Sequence, residues 1–169
     1  TPAERPADRS WMRAQVLRDP RFYGLLPGIL AAPFVITGVF FHQLHLVEIK
    51  GWSLADFAAC YPIYAASGTA FALACGRLVD DYGALRLLPF YLLPLAAGLA
   101  LLGIGHSITA AAGFMAAMGA TAGAATILLG AALAELYGTA HLGAIRALVV
   151  ALKVLATALA PATLGWLID

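Results

Sequence analysis

The chain has 169 residues, of which 62% are apolar and 11% charged, and its net charge is +1 at pH 7. Soluble domains hold roughly 45–50% apolar and 25% charged residues, so this composition excludes an ordinary soluble globule and predicts an integral membrane protein. A near-neutral chain has no concentrated basic field, which excludes nucleic acid as an expected partner.

Residues 1–21 are polar and carry Arg5, Arg9, Arg13, Arg18 and Arg21. They read as a cytoplasmic linker with one short amphipathic helix through Trp11, Val16 and Leu17, capped by Ser10. No apolar run of signal-peptide length is present. The start at Thr1 and the proline-rich opening suit a linker cut from a longer protein, or a processed N-terminus.

Residues 22–169 read as a transmembrane domain with five spans, at about 22–47, 54–79, 87–104, 108–134 and 143–168. The first holds no Asp, Glu, Lys or Arg over twenty-six residues, about 39 Å as a helix against a hydrocarbon core of about 30 Å. Pro27 and Pro33 predict a kink, tolerable where neighbouring helices satisfy the freed carbonyls. His42 and His45 near its end are either pH-sensitive groups or simply wet interfacial ones. Trp52, in the following loop, suits a membrane interface.

The second span opens with Ser53 as cap and Asp56 in its first turn, where negative charge is favoured. Cys60 and Cys75 stand fifteen residues apart in it, about 22 Å, too far for a disulfide. Tyr61 and Tyr64 share a helix face and Ser67 continues a polar patch, which either lines a solute cavity or makes ordinary interhelical bonds. Gly105, His106 and Ser107 form the turn before the fourth span, whose Gly119 and Gly123 predict close helix packing. The fifth span carries Ala156, Ala160 and Pro161, expected at a packed bend, and Lys153 at mid-depth. An ionisable group there is costly and usually functional. Lys153 is an anion anchor, a lysine snorkelling to the headgroups, or a member of a proton or ion pair.

Between the second and third spans lies a charged loop, Gly76 to Arg86. Eight arginines (the five of the linker, with Arg77, Arg86 and Arg146) fall on one side of the predicted topology, and only Lys50 falls opposite. That bias places the N-terminus in the cytoplasm.

The loop reads Gly76-x-Leu78-x-Asp80-x-x-Gly83-x-x-Arg86, and it resembles the cytoplasmic loop between the second and third helices of each half of major facilitator superfamily transporters. The resemblance implies a partial facilitator fold, an all-α membrane bundle corresponding to helices seven to eleven. The N-terminal half and last helix would then be further partners. It also implies a secondary active transporter moving a small solute, with a coupling proton or ion, by alternating access in a cell membrane, the bacterial inner membrane being expected. In that family the loop is a latch between the halves. Gly76 and Gly83 would give close packing and a left-handed turn, while Asp80 would cap an apposed helix and Arg86 would pair with acids or lipid. The alternative is that these charges only fix topology. Tyr137-Gly138, Leu142-Gly143 and Lys153 are similar in order and spacing to residues of oxalate:formate exchangers, which implies an organic anion or monocarboxylate as solute and Lys153 as its anchor; Tyr61, Tyr64 and Ser67 are candidate solute contacts from their shared helix face alone. Those exchangers and related monocarboxylate porters carry an arginine in the eighth helix, and this chain has none between Asp56 and Arg77.

No Walker motif is present, so ATP and other cofactors are not expected. Nor is an enzyme: four histidines lack metal spacing, and no serine sits in a nucleophile elbow. The remaining alternative is an incomplete transporter fragment, or a structural or assembly module without activity of its own.

Overall fold

The computed structural model describes residues 11–168; Ser10, expected as a cap, and Asp169, expected beyond the last span, lie outside them. Every regular element among the described residues is helical. Five stretches are long and apolar enough to cross a membrane: Pro20–Phe41, Leu54–Tyr82, Ala84–Ile104, Ile108–Tyr137 and Leu142–Ile168. The expected all-α bundle of five spans is what the chain forms.

Helix α1 (Arg13–Val16) is a single turn. Just before it, Trp11 donates its backbone N–H to the Tyr137 carbonyl at 3.0 Å and sets its ring edge-on to that tyrosine. Helix α2 (Pro20–Phe41) starts where Asp19 accepts from Arg21 N–H, with Pro20 in a first turn that needs no donor from it. It ends earlier than the expected 47. His42 leaves the helical conformation, its backbone N–H donates to the Gly38 carbonyl and its Nδ1 lies 3.0 Å from the same oxygen. The chain restarts as α3 (Gln43–Lys50), closed by Gly51 at φ 68°. Lys50 Nζ then donates to the Gly103 and Gly105 carbonyls, and Trp52 Nε1 to that of His106, tying this end to the turn after the third span.

The second span is two pieces, α4 (Leu54–Ala58) and α5 (Tyr61–Tyr82). Ser53 caps α4 by accepting from Asp56 N–H at 3.0 Å. The break follows from Pro62, which cannot donate to the Ala58 carbonyl and whose ring would crowd it. The third span is also segmented: α6 (Ala84–Leu87), a 3-10 turn at Leu88–Phe90, and α7 (Leu93–Ile104). Pro89 and Pro94 recur at the starts of these pieces for the same reason. Helix α8 (Ile108–Tyr137) is continuous over 30 residues, opened by Ser107 accepting from Ala110 N–H and closed by Gly138. Helix α9 (Leu142–Ile168) holds Pro161.

Among the described residues, helix α8 is the only span buried over most of its length. Small residues explain how it packs. A Cβ at Gly119 would run into the Tyr64 carbonyl and Ser67 Oγ, and one at Gly123 into the Gly68 carbonyl, so α5 and α8 cross backbone against backbone. The expected close contact at Gly119 and Gly123 is seen. On another side, Gly98 of α7 faces Ala117 and Phe114. Helix α9 packs chiefly on α2, where Gly38 admits Leu164 and Ala160. The chain is thus a trio, α5, α7 and α8, and a pair, α2 and α9, which meet sparingly along α8.

Candidate functional site

The stretch expected as a charged loop is mostly helix. Gly76 to Tyr82 complete α5, and the reversal into α6 takes one residue, Gly83, at φ 83° and ψ 149°. An L residue with a side chain resists that backbone, so glycine is required. The two N–H groups that α6 exposes, those of Ala84 and Leu85, donate to Glu135 Oε1 and Oε2 at 2.7 and 3.2 Å. A carboxylate on the last turn of α8 therefore caps the helix that leaves the turn, its charge favoured by the N-terminal dipole.

The motif's other residues stand apart from this cap. Asp80 and Arg86 are exposed and make no hydrogen bond or ion pair among the described residues, and a Cβ at Gly76 would meet nothing within 4 Å. Among the described residues nothing packs against Gly76, and of the two motif glycines it is Gly83 that takes the positive φ of the turn. Glu135→Ala is expected to cost about 1 kcal/mol, as for other helix caps, read as a lowered thermal midpoint of the detergent-solubilised protein.

A groove of about 490 Å3 opens where the α2–α9 pair meets α8. That is within the usual range for small-molecule sites. Pro33 and Thr37 of α2, Thr126 and Gly130 of α8, and Arg146 and Lys153 of α9 line it with small aliphatic side chains. Among the described residues, two cations line it and no carboxylate does. Neither Lys153 nor Arg146 has a hydrogen-bond or ion-pair partner among the described residues. Thr126 Oγ1 donates to the Ala122 carbonyl at 2.9 Å, leaving it only lone pairs to offer. Lys153 is half-buried, eleven residues after the first residue of α9, about 16 Å along the axis.

The other expected solute contacts lie elsewhere. Tyr61 and Tyr64 do share a face, and both set their rings edge-on to Phe40, at 5.7 and 5.6 Å. Tyr61 donates its hydroxyl to Gln43 Oε1. Ser67 donates to the Tyr64 carbonyl at the α5–α8 crossing. None of the three lines the groove. Arg146, conversely, was legible only as a topology marker, and Thr37 and Thr126 carried no signal at all.

A family model described as the Major Facilitator Superfamily matches residues 1–161. No curated protein and no solved structure matches the chain.

Proposed function

The chain belongs to the major facilitator superfamily of membrane transporters, and from that membership we propose that it forms part of a secondary carrier for a small organic anion, bound in the groove between α2, α8 and α9. The family accounts for a multi-pass membrane protein that handles small solutes and is no enzyme. The observation that carries the finer reading is Lys153, half-buried and without an acidic partner among the described residues, on the wall of a solute-sized groove. A cation held in an apolar wall is costly alone and is compensated when an anion arrives.

In this reading the spans are helices seven to eleven, and the arginines keep the Gly83 turn and the N-terminus in the cytoplasm. Helices α5 and α9 are buried over little of their length, which suits faces completed by the other half of a transporter. Solute would bind near mid-membrane between halves that rock against each other, driven by a solute or ion gradient. Exposed Asp80 and Arg86, free of partners among the described residues, would latch onto that other half. A chain acting by itself would then supply one wall of a site, and an inactive fragment is the second reading that the same open faces favour.

The test is thiol accessibility of Thr126→Cys in the full-length transporter, with Cys60 and Cys75 replaced by alanine. A membrane-impermeant thiol reagent is expected to label it, and at least one of acetate, propionate, lactate and succinate is expected to slow the labelling. Absence of labelling, or labelling that none of the four alters, contradicts a solute path through the groove.

A further inference from the structure

Apart from the groove beside Lys153, a smaller hollow lies where α2 meets the start of the third span. It holds about 200 Å3, below the roughly 300 Å3 at which small-molecule sites begin. Gly24, Leu25 and Gly28 form one wall, and Leu88, Tyr91 and Leu92 the other. Among the described residues lining it, Tyr91 bears the only polar side-chain group, and that hydroxyl donates to the Gly28 carbonyl. A site for water needs about two to four polar partners, so hydrocarbon is the guest that this hollow suits. There is room for it on the glycine wall, since a Cβ at Gly24 or Gly28 would meet nothing within 4 Å. Gly24 and Pro89 are exposed, so the hollow opens at the side of the bundle.

One cation stands over that opening. Arg21, Gly24, Leu25 and Gly28 are spaced i, i+3, i+4 and i+7 along α2 and so share a face. Arg21 is exposed, lies about 4.5 Å along the axis from Gly24, and its side chain has no hydrogen-bond or ion-pair partner among the described residues. Asp19, the nearest acid in sequence, is engaged in accepting from the Arg21 backbone N–H at 3.0 Å. Exposed Arg18 adds a second positive charge three residues earlier.

We propose that this hollow seats one acyl chain of an anionic membrane phospholipid, with the phosphate held by Arg21. Basic sites between spans at the membrane surface attract anionic headgroups, and a guanidinium grips phosphate through two parallel hydrogen bonds. The charge selects an anionic headgroup over a zwitterionic one, while the apolar hollow one turn below selects a tailed phosphate over a soluble one. The place also gives the lipid something to do. The α2–α9 pair and the trio meet sparingly, and the bond from Tyr91 to the Gly28 carbonyl is a tie between them. A hydrocarbon chain wedged beside that tie touches both walls, so the bound lipid stabilises the packing of the pair on the trio.

Thermal unfolding of the full-length transporter in detergent tests this, with dioleoylphosphatidylglycerol, dioleoylphosphatidylcholine and glycerol phosphate as the probes. Phosphatidylglycerol is expected to raise the midpoint at lower concentration than phosphatidylcholine, and glycerol phosphate is expected to leave it unchanged. Arg21→Gln should weaken the effect of phosphatidylglycerol by about fivefold, the share of one basic residue at a membrane surface, and leave that of phosphatidylcholine as it was. Arg21→Lys, which keeps the charge but not the fork, should restore part of the difference. Gly24→Leu, whose side chain occupies the hollow, should abolish protection by phosphatidylglycerol. The proposal is overturned if the two lipids protect equally, if glycerol phosphate protects as well as phosphatidylglycerol, or if Arg21→Gln changes nothing. Protection that survives Gly24→Leu, as it would if a further segment of the chain filled the hollow, overturns it too.

Discussion

Gly123→Ala is expected to destabilise the protein by about 3 kcal/mol, the upper end of overpacking costs, although alanine is the better helix former. At an open helical position the same exchange stabilises by roughly 0.5–1 kcal/mol. The sign is therefore the informative quantity. The added methyl would fall on the Gly68 carbonyl, which is backbone and cannot rotate aside, so relief requires α5 to move off α8. Because α8 is the buried centre of the bundle, separation there loosens the contacts of the whole trio. Gly24→Ala on α2, where a Cβ meets nothing within 4 Å, is the control. Thermal unfolding of the two variants in detergent should shift in opposite directions. Equal, small shifts would show that α5 and α8 do not cross at the separation described.

Lys153→Gln is expected to lower carboxylate uptake by a factor of about thirty or more, since truncating one partner of a buried charge pair costs at least 2 kcal/mol. It should leave stability unchanged or raised. A charge at mid-helix costs roughly 2.5–3.5 kcal/mol on insertion scales, and glutamine, still polar but uncharged, removes part of that cost. An anchor thus predicts opposite movements of activity and stability. A lysine that only snorkels predicts a stability change with uptake intact. Lys153→Arg keeps the charge and should retain part of the uptake, with altered solute preference because the fork replaces a point charge.

The five spans were legible because hydropathy over some twenty residues is a strong, local signal. Their interruptions were less so. Pro62 was visible and is sufficient reason for the break between α4 and α5, whereas the break at His42 depends on how its ring meets the Gly38 carbonyl. The charged stretch before Gly83 looked like a loop since charges usually mark one. It is helix because one glycine makes the turn and Glu135, about fifty residues further on, satisfies the new helix's donors. No local pattern pairs residues at that separation. The same limit applies to the groove. Lys153 stood out by its depth, but its company of Arg146, Gly130 and Thr126 depends on α2 and α9 packing together beside α8. Periodicity put Tyr61 and Tyr64 on one face correctly. The glycine ridge of α8 and Phe40 of α2 decide where that face points, and it is away from the groove.

The most direct measurement is gradient-driven uptake of labelled acetate, propionate, lactate and succinate into ATP-free proteoliposomes, comparing the full-length transporter with its Lys153→Gln variant at two external pH values. Accumulation of at least one carboxylate by the wild type, lost in the variant with folding intact, is the predicted result. A wild type that moves none of the four, or a variant that carries them at the wild-type rate, would contradict an anion carrier anchored by Lys153.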